Sequence, residues 1–269
     1  CGDHLWRVKG RNERRTSSGW VTMTTDALRA QVKRPNGVSE ARQWEIPSSG
    51  PAAFPYRQLP VHPYTLGVWL GDGGRNTGLV TSADADVIAH LTAVGETVTP
   101  RYGPYAWHVE GLRAKLKALG ILPRYSYQKS VPVEFLEAPS EARLELLRGL
   151  LDTDGECGAE NGTITFSSTS QALAEDVIWL ARSLGGKAMM SPTVKHPQFP
   201  GPDGVLKDGR PCWRATVRLP AGVRAFHVER KQARVSAAPE ARYLTRWIDR
   251  IEPDGREFCR CITVDAPDH

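Results

Sequence analysis

Two stretches of this chain end in the same way. One reads Leu147-Arg148-Gly149-Leu150-Leu151-Asp152-Thr153-Asp154-Gly155, the other Thr65-Leu66-Gly67-Val68-Trp69-Leu70-Gly71-Asp72-Gly73. Each is a short apolar helix with glycine at its third position and Asp-Gly at its end. Glycine inside a helix costs about 1 kcal/mol relative to alanine. Its matching placement at Gly67 and Gly149 is explained if the two helices pack against each other, because a missing side chain lets backbones approach closely. Gly73 and Gly155 suit helix C-termini that close in a left-handed conformation. If the helices pair about a pseudo-twofold axis, Asp72 and Asp154 finish side by side.

Two carboxylates about 4 Å apart repel by about 4 kcal/mol at an effective dielectric constant near 20. Either one holds a proton or a divalent cation lies between them. Oxygen-only ligands suit Mg²⁺ better than zinc or copper. A single Asp-Gly is explained as a helix stop; two in matching contexts ask for more. After Asp72 come an extended run at 78–82, a helical run at 84–91 and a strand at 105–109. After Asp154 come a glycine-rich turn, an extended run at 163–168, a helical run at 171–180 and a strand at 212–219. The chain contains an internal repeat.

These two motifs, in this repeated context, resemble the LAGLIDADG homing endonucleases, with both repeats on one chain and the likeness covering roughly residues 56–235. The resemblance implies an α/β fold of two pseudo-symmetric αββαββα-type repeats, with two sheets saddling double-stranded DNA at a long recognition site. It implies a monomer in which Asp72 and Asp154 bind Mg²⁺ and are catalytic. Lys129 matches the family's lysine just ahead of the second motif, where it offsets phosphate charge or positions water; a surface lysine on a loop is the other reading. In 213–219, period two puts Arg214, Thr216 and Arg218 on one face, suited to a DNA groove. Lys187, Lys195 and Lys231 extend that basic character.

The ends of the chain resemble a second family. Asp3-His4-Leu5-Trp6 is similar to the intein segment whose histidine assists the first acyl shift. Cys261-Ile262-Thr263-Val264 is similar to a late strand of the splicing domain, and His269 falls on that segment's downstream histidine. With Trp6 beside His4, and Cys261 where most inteins have Asp, the pattern resembles the class using an internal cysteine as first nucleophile. The wording of both ends is similar to inteins of replicative DNA helicases. The expected whole is a nuclease inserted in a truncated all-β Hint splicing domain, with host-protein exteins as partners. The chain reads as an interior excerpt, lacking both splice junctions. A nuclease insert that binds DNA without cutting, or a relic inside an intein that only splices, are the alternatives.

The expected layout is residues 1–15 as the first part of the splicing domain and 16–55 as a linker or DNA-contacting arm. The nuclease occupies 56–250, and 251–269 is the last part of the splicing domain. Within these, 20–24 reads as a strand, 25–30 as a helix start and 242–250 as an amphipathic helix. The net charge of +5 is compatible with nucleic acid and proves nothing alone. The five cysteines are odd in number and form no zinc-ligand set, which favours a reducing, cytoplasmic setting. No apolar run reaches the length of a membrane span, so no membrane partner is expected.

Overall fold

Residues 2–10, 19–32, 44–158, 162–237, 244–255 and 258 are described in the computed structural model of the chain. The chain divides into two units, 1–47 with 245–269, and 48–244. No helix among the described residues is long and apolar enough to cross a membrane.

The first unit is an antiparallel sheet built from both ends of the chain. Its strands β1 (Leu5–Gly10), β2 (Trp20–Thr24), β3 (Trp44–Pro47) and β13 (Thr245–Trp247) lie in the order β13-β3-β1-β2. Val8 of β1 and Leu28 of helix α1 (Thr25–Val32) are fully buried. The strand expected at 20–24 and the helix start expected at 25–30 are β2 and α1, and β2 and β3 both pair with β1. One expectation changes here. Within the range expected as a helix, 242–250, residues 245–247 form β13, whose backbone pairs with β3 in the register Thr245↔Pro47 to Trp247↔Glu45. The Thr245 hydroxyl also bonds the buried Glu45 carboxylate. Strand pairing outweighs a helical spacing carried by so few residues.

The second unit is built on two helices, α2 (Pro63–Asp72) and α6 (Ser140–Asp154). Pro63 supplies the helical φ at the first position of α2, and the His62 ring accepts the Tyr64 N–H as N-cap. Every residue from Pro63 to Leu70 is buried, so α2 is covered on all sides.

After α2 the first repeat runs β4 (Leu79–Thr81), α3 (Ala85–Ala93), β5 (Val98–Pro100), β6 (Ala106–Val109) and α4 (Leu112–Ala118). A short helix α5 (Val133–Leu136) leads into α6. The second repeat then runs β7 (Gly155–Cys157), β8 (Ile164–Ser168), α7 (Gln171–Ser183), β9 (Lys187–Met190), β12 (Trp213–Arg218) and α8 (Glu229–Ala237). The hairpin β10 (Gln198–Pro200) and β11 (Leu206–Asp208) is inserted between β9 and β12.

The sheets share one layout, β4-β6-β5 in the first repeat and β7-β8-β12-β9 in the second. Where the second has β7, the first has a single bridge, Gly73↔Val80. The αββαββα pattern is therefore complete in the second repeat and lacks one full strand in the first. Val80 and Val109 from one sheet, Phe166, Ala215 and Val217 from the other, and the leucines of α2 and α6 form one continuous core. Each such aliphatic side chain contributes about 1.5–3 kcal/mol on burial. Buried Arg143 joins segments to this core: its guanidinium donates to the carbonyls of Ala138, Ser183 and Ala52 and lies over the Phe54 ring.

Candidate active site at the end of the helix pair

The helices cross with no side chain between them at Gly67 and Gly149. A Cβ on Gly67 would stand 2.4 Å from the Leu146 carbonyl oxygen, and one on Gly149 would stand 2.4 Å from that of Tyr64. The close approach continues to the acidic end, where a Cβ on Gly71 would lie 2.0 Å from Thr153 Oγ1 and 3.3 Å from Asp154 Oδ2. Asp72 and Asp154 are thereby neighbours at a common end of the seam. Gly73 and Gly155 are not left-handed: both are extended, with φ −84° and −86°. They are glycine for want of room, since a Cβ would come within 2.3 Å of the Trp69 and Leu151 carbonyl oxygens respectively.

Those carbonyls belong to two matching lysine caps. Lys129 Nζ donates to the carbonyls of Trp69 (2.8 Å), Gly71 (3.4 Å) and Gly73 (2.8 Å), closing α2. Lys231 Nζ donates to those of Leu151 (3.1 Å), Thr153 (3.3 Å) and Gly155 (2.8 Å), the corresponding positions of α6, and to Asp152 (2.6 Å). The cations thus meet the negative ends of both helix dipoles. Lys129 is 2% exposed and Lys231 6%. The loop-surface reading of Lys129 falls, and Lys231 lies beneath α6 instead of on a groove-facing sheet. An ammonium has three donors, and in both lysines they are engaged by carbonyls. Their role is to position the helix ends that carry the acids.

The acids feel one another. Burial first, and then the Asp72 charge, push the Asp154 carboxyl up to about 7 against the pull of Lys129 and Lys231. Asp72 keeps an open outer surface, yet loss of hydration around it also raises its pKa. Burial lowers the Lys129 ammonium to about 8 despite both acids. An all-oxygen pair whose repulsion two lysines only partly offset fits a hard divalent cation.

Residues 141–200 match the LAGLIDADG-like domain family. The chain carries a LAGLIDADG-type domain. It is also 32% identical over 219 residues to the replicative DNA helicase DnaB of Mycobacterium intracellulare, a match spanning 80% of this chain and 34% of that relative. The chain therefore spans about a third of the curated relative it matches. Among solved structures, mesophilic variants of the homing endonuclease I-DmoI align at 13% identity and TM-score 0.38, covering 60% of this chain and 89% of theirs. I-DmoI in complex with DNA and Ca aligns at 13% identity and TM-score 0.37, covering 60% and 83%.

The second sheet of the LAGLIDADG-type domain separates its faces as period two requires. Ala215 and Val217 of β12 enter the core, while Arg214, Thr216 and Arg218 alternate with them on the other face. The register brings Ser167 opposite Arg214, Thr165 and Met189 opposite Thr216, and Lys187 opposite Arg218. Lys195 is exposed beyond this sheet, at an isolated bridge to Cys212. The first sheet presents Leu79, Thr81, Ala106 and His108 at the equivalent positions, with the exposed Arg101 just past β5, its N–H bonded to the Ala106 carbonyl.

In the other unit, the His4 and Trp6 rings meet edge to face at 4.9 Å. Trp6 Nε1 donates to Thr25 Oγ1 (2.9 Å), which in turn bonds the His4 carbonyl (3.3 Å). Cys261 and His269 lie outside the described residues.

Sequence reasoning missed Asp152. Its carboxylate accepts the Tyr64 hydroxyl (2.9 Å) and the His227 and Val228 N–H groups. The signal available was a second acid in Asp152-Thr153-Asp154, on the side of the helix facing the first repeat.

Proposed function

We propose that the LAGLIDADG-type domain is a site-specific DNA endonuclease that makes a metal-dependent double-strand break, as the homing nuclease of a protein-splicing element. The observation that carries the reading is the pairing of Asp72 with Asp154, each ending a lysine-capped helix and each approached by one repeat's sheet. Two equivalent acids suit two phosphodiester bonds, one on each strand. A divalent cation bound there, Mg²⁺ by the oxygen donors, would activate water and stabilise the leaving oxygen. Asp72 and Asp154 would hold it, Lys129 and Lys231 would keep both carboxylates in place, and the face of Arg214, Thr216, Arg218 and Lys187 would seat the duplex.

Asp72→Asn and Asp154→Asn test this directly. Each should abolish double-strand cleavage of the uninterrupted host gene in Mg²⁺ while gel-shift binding persists. Normal cutting by either variant would sink the assignment, and binding without cutting by the unaltered chain would mark a degenerate insert.

The splicing context rests on the contact between His4 and Trp6 and on the resemblance of the two chain ends. A cysteine thiolate attacks a carbonyl more readily than a hydroxyl does, and His4 would protonate the departing amide nitrogen. In the parent protein with its splice junctions, Cys261→Ala should leave unspliced precursor, whereas Asp72→Asn should splice normally.

A further inference from the structure

Away from the acidic end, three side chains from three segments converge. His90 lies on α3 of the first repeat, Glu145 on α6, and His227 just ahead of α8 in the second repeat. His90 Nε2 is 3.3 Å and His227 Nε2 3.1 Å from the same carboxylate oxygen, Glu145 Oε2. The imidazoles stack 20° from parallel with centroids 3.5 Å apart, and the Tyr64 ring stands edge-on to both, at 4.3 and 5.2 Å. Arg148 donates to Glu145 Oε1 at 2.6 Å, an oxygen that His227 Nε2 also approaches at 3.3 Å, while Oε2 faces both histidines. The three side chains retain 17–23% of their exposure, enough for an ion and a water to reach them.

Two histidine nitrogens and one carboxylate oxygen, all within 4.8 Å of one another, form a donor set of the kind that binds zinc with a water in the fourth place. Ligand bonds of about 2.0–2.1 Å in a tetrahedron put neighbouring donors about 3.3–3.4 Å apart. The two N···O separations of 3.1 and 3.3 Å sit close to that edge, while the stacked rings, 3.5 Å apart between centroids, have to swing out to about 5 Å for both nitrogens to meet one ion. We propose that His90, Glu145 and His227 form a Zn²⁺ site that clasps the first repeat to the second, with a water as fourth ligand.

A site of two nitrogens and one oxygen favours Zn²⁺ over Mg²⁺, which separates it chemically from Asp72 and Asp154. It also bears on them mechanically. His227 donates its backbone N–H to Asp152 and lies on the segment leading to Lys231, the cap of α6. An ion on His227 would anchor that segment from its other end.

The test uses the whole chain and no DNA. Zn²⁺ titrated against a chromophoric chelator should reveal one held equivalent that excess Mg²⁺ does not displace. Cobalt in its place should give tetrahedral ligand-field absorption without thiolate charge-transfer bands. His90→Ala, His227→Ala and Glu145→Gln should each weaken zinc binding at least about tenfold. Zinc should raise the Tm of the unaltered chain and leave those of the variants unmoved. Glu145→Gln keeps the shape and a hydrogen-bonding oxygen, so its metal-free circular dichroism and Tm report whether the fold persists. Absence of a bound equivalent, or undiminished binding by all three variants, would overturn the proposal. So would a cobalt spectrum dominated by thiolate bands, which would move the metal to the cysteines.

Discussion

Gly67 and Gly149 each occupy the space that the other's side chain would need. A Cβ on either would lie 3.0 Å from the other's Cα, against backbone that cannot rotate away. Gly149→Ala should therefore part the helices despite alanine's better helix propensity. Overpacking of this kind costs about 1–3 kcal/mol, and Gly149→Val should cost more. Because the same seam sets the spacing of Asp72 and Asp154, cleavage should fall further than stability alone explains. Urea unfolding and single-turnover cleavage of the folded fraction measure the two effects separately.

Removing a lysine cap strands buried carbonyls. Lys129→Met and Lys231→Met each leave several unpaired, at about 1–3 kcal/mol for each buried group lost to hydrogen bonding. Both should be strongly destabilising. The losses should be alike, as the two caps are equivalent in structure. If either lysine acted only by touching DNA, its variant would keep the parent Tm and lose affinity, which thermal unfolding beside gel shifts distinguishes.

Asp154 makes metal binding depend on pH. Its folded pKa, about 7, is above the ordinary 3.8, so the folded state holds a proton that the unfolded state has released. The contribution is present below pH 4 and is lost as pH rises through 7. In the metal-free chain, Asp154→Asn should gain stability relative to the parent as pH climbs from about 4 to 7. Mg²⁺ competes for the site that proton occupies, so its affinity should weaken as pH falls below 7. Chemical denaturation and Mg²⁺ titration across that range follow both effects.

The basic face should show itself in salt dependence. Each phosphate contact adds about 0.9 to the slope of log affinity against log salt. Arg214→Ala and Arg218→Ala should each reduce the slope by about that amount if the side chain holds phosphate. If it reads a base edge, the slope should stay and discrimination should drop by about 1–3 kcal/mol at one position. His108, at an equivalent position of the first sheet, should give neither effect on substitution by Ala.

The repeat, the acids and the helix crossing were legible from residues alone, because each follows from local rules. Glycine in an apolar helix implies a close neighbour, alternation of Arg214, Thr216 and Arg218 with Ala215 and Val217 implies one wet face, and Asp-Gly marks an end. Tertiary structure decided what long-range partners determine. Gly73 and Gly155 proved to be glycine because carbonyls crowd them, not because their φ is positive. Lys231 looked like one more basic residue near the sheet; only its approach to Leu151, Thr153 and Gly155 makes it the counterpart of Lys129. Thr245–Trp247 followed the open edge of β3 over its own helical spacing. His90, Glu145 and His227 are far apart in the chain and carry no shared pattern. Their meeting depends on how α3, α6 and the approach to α8 pack, which no local period encodes.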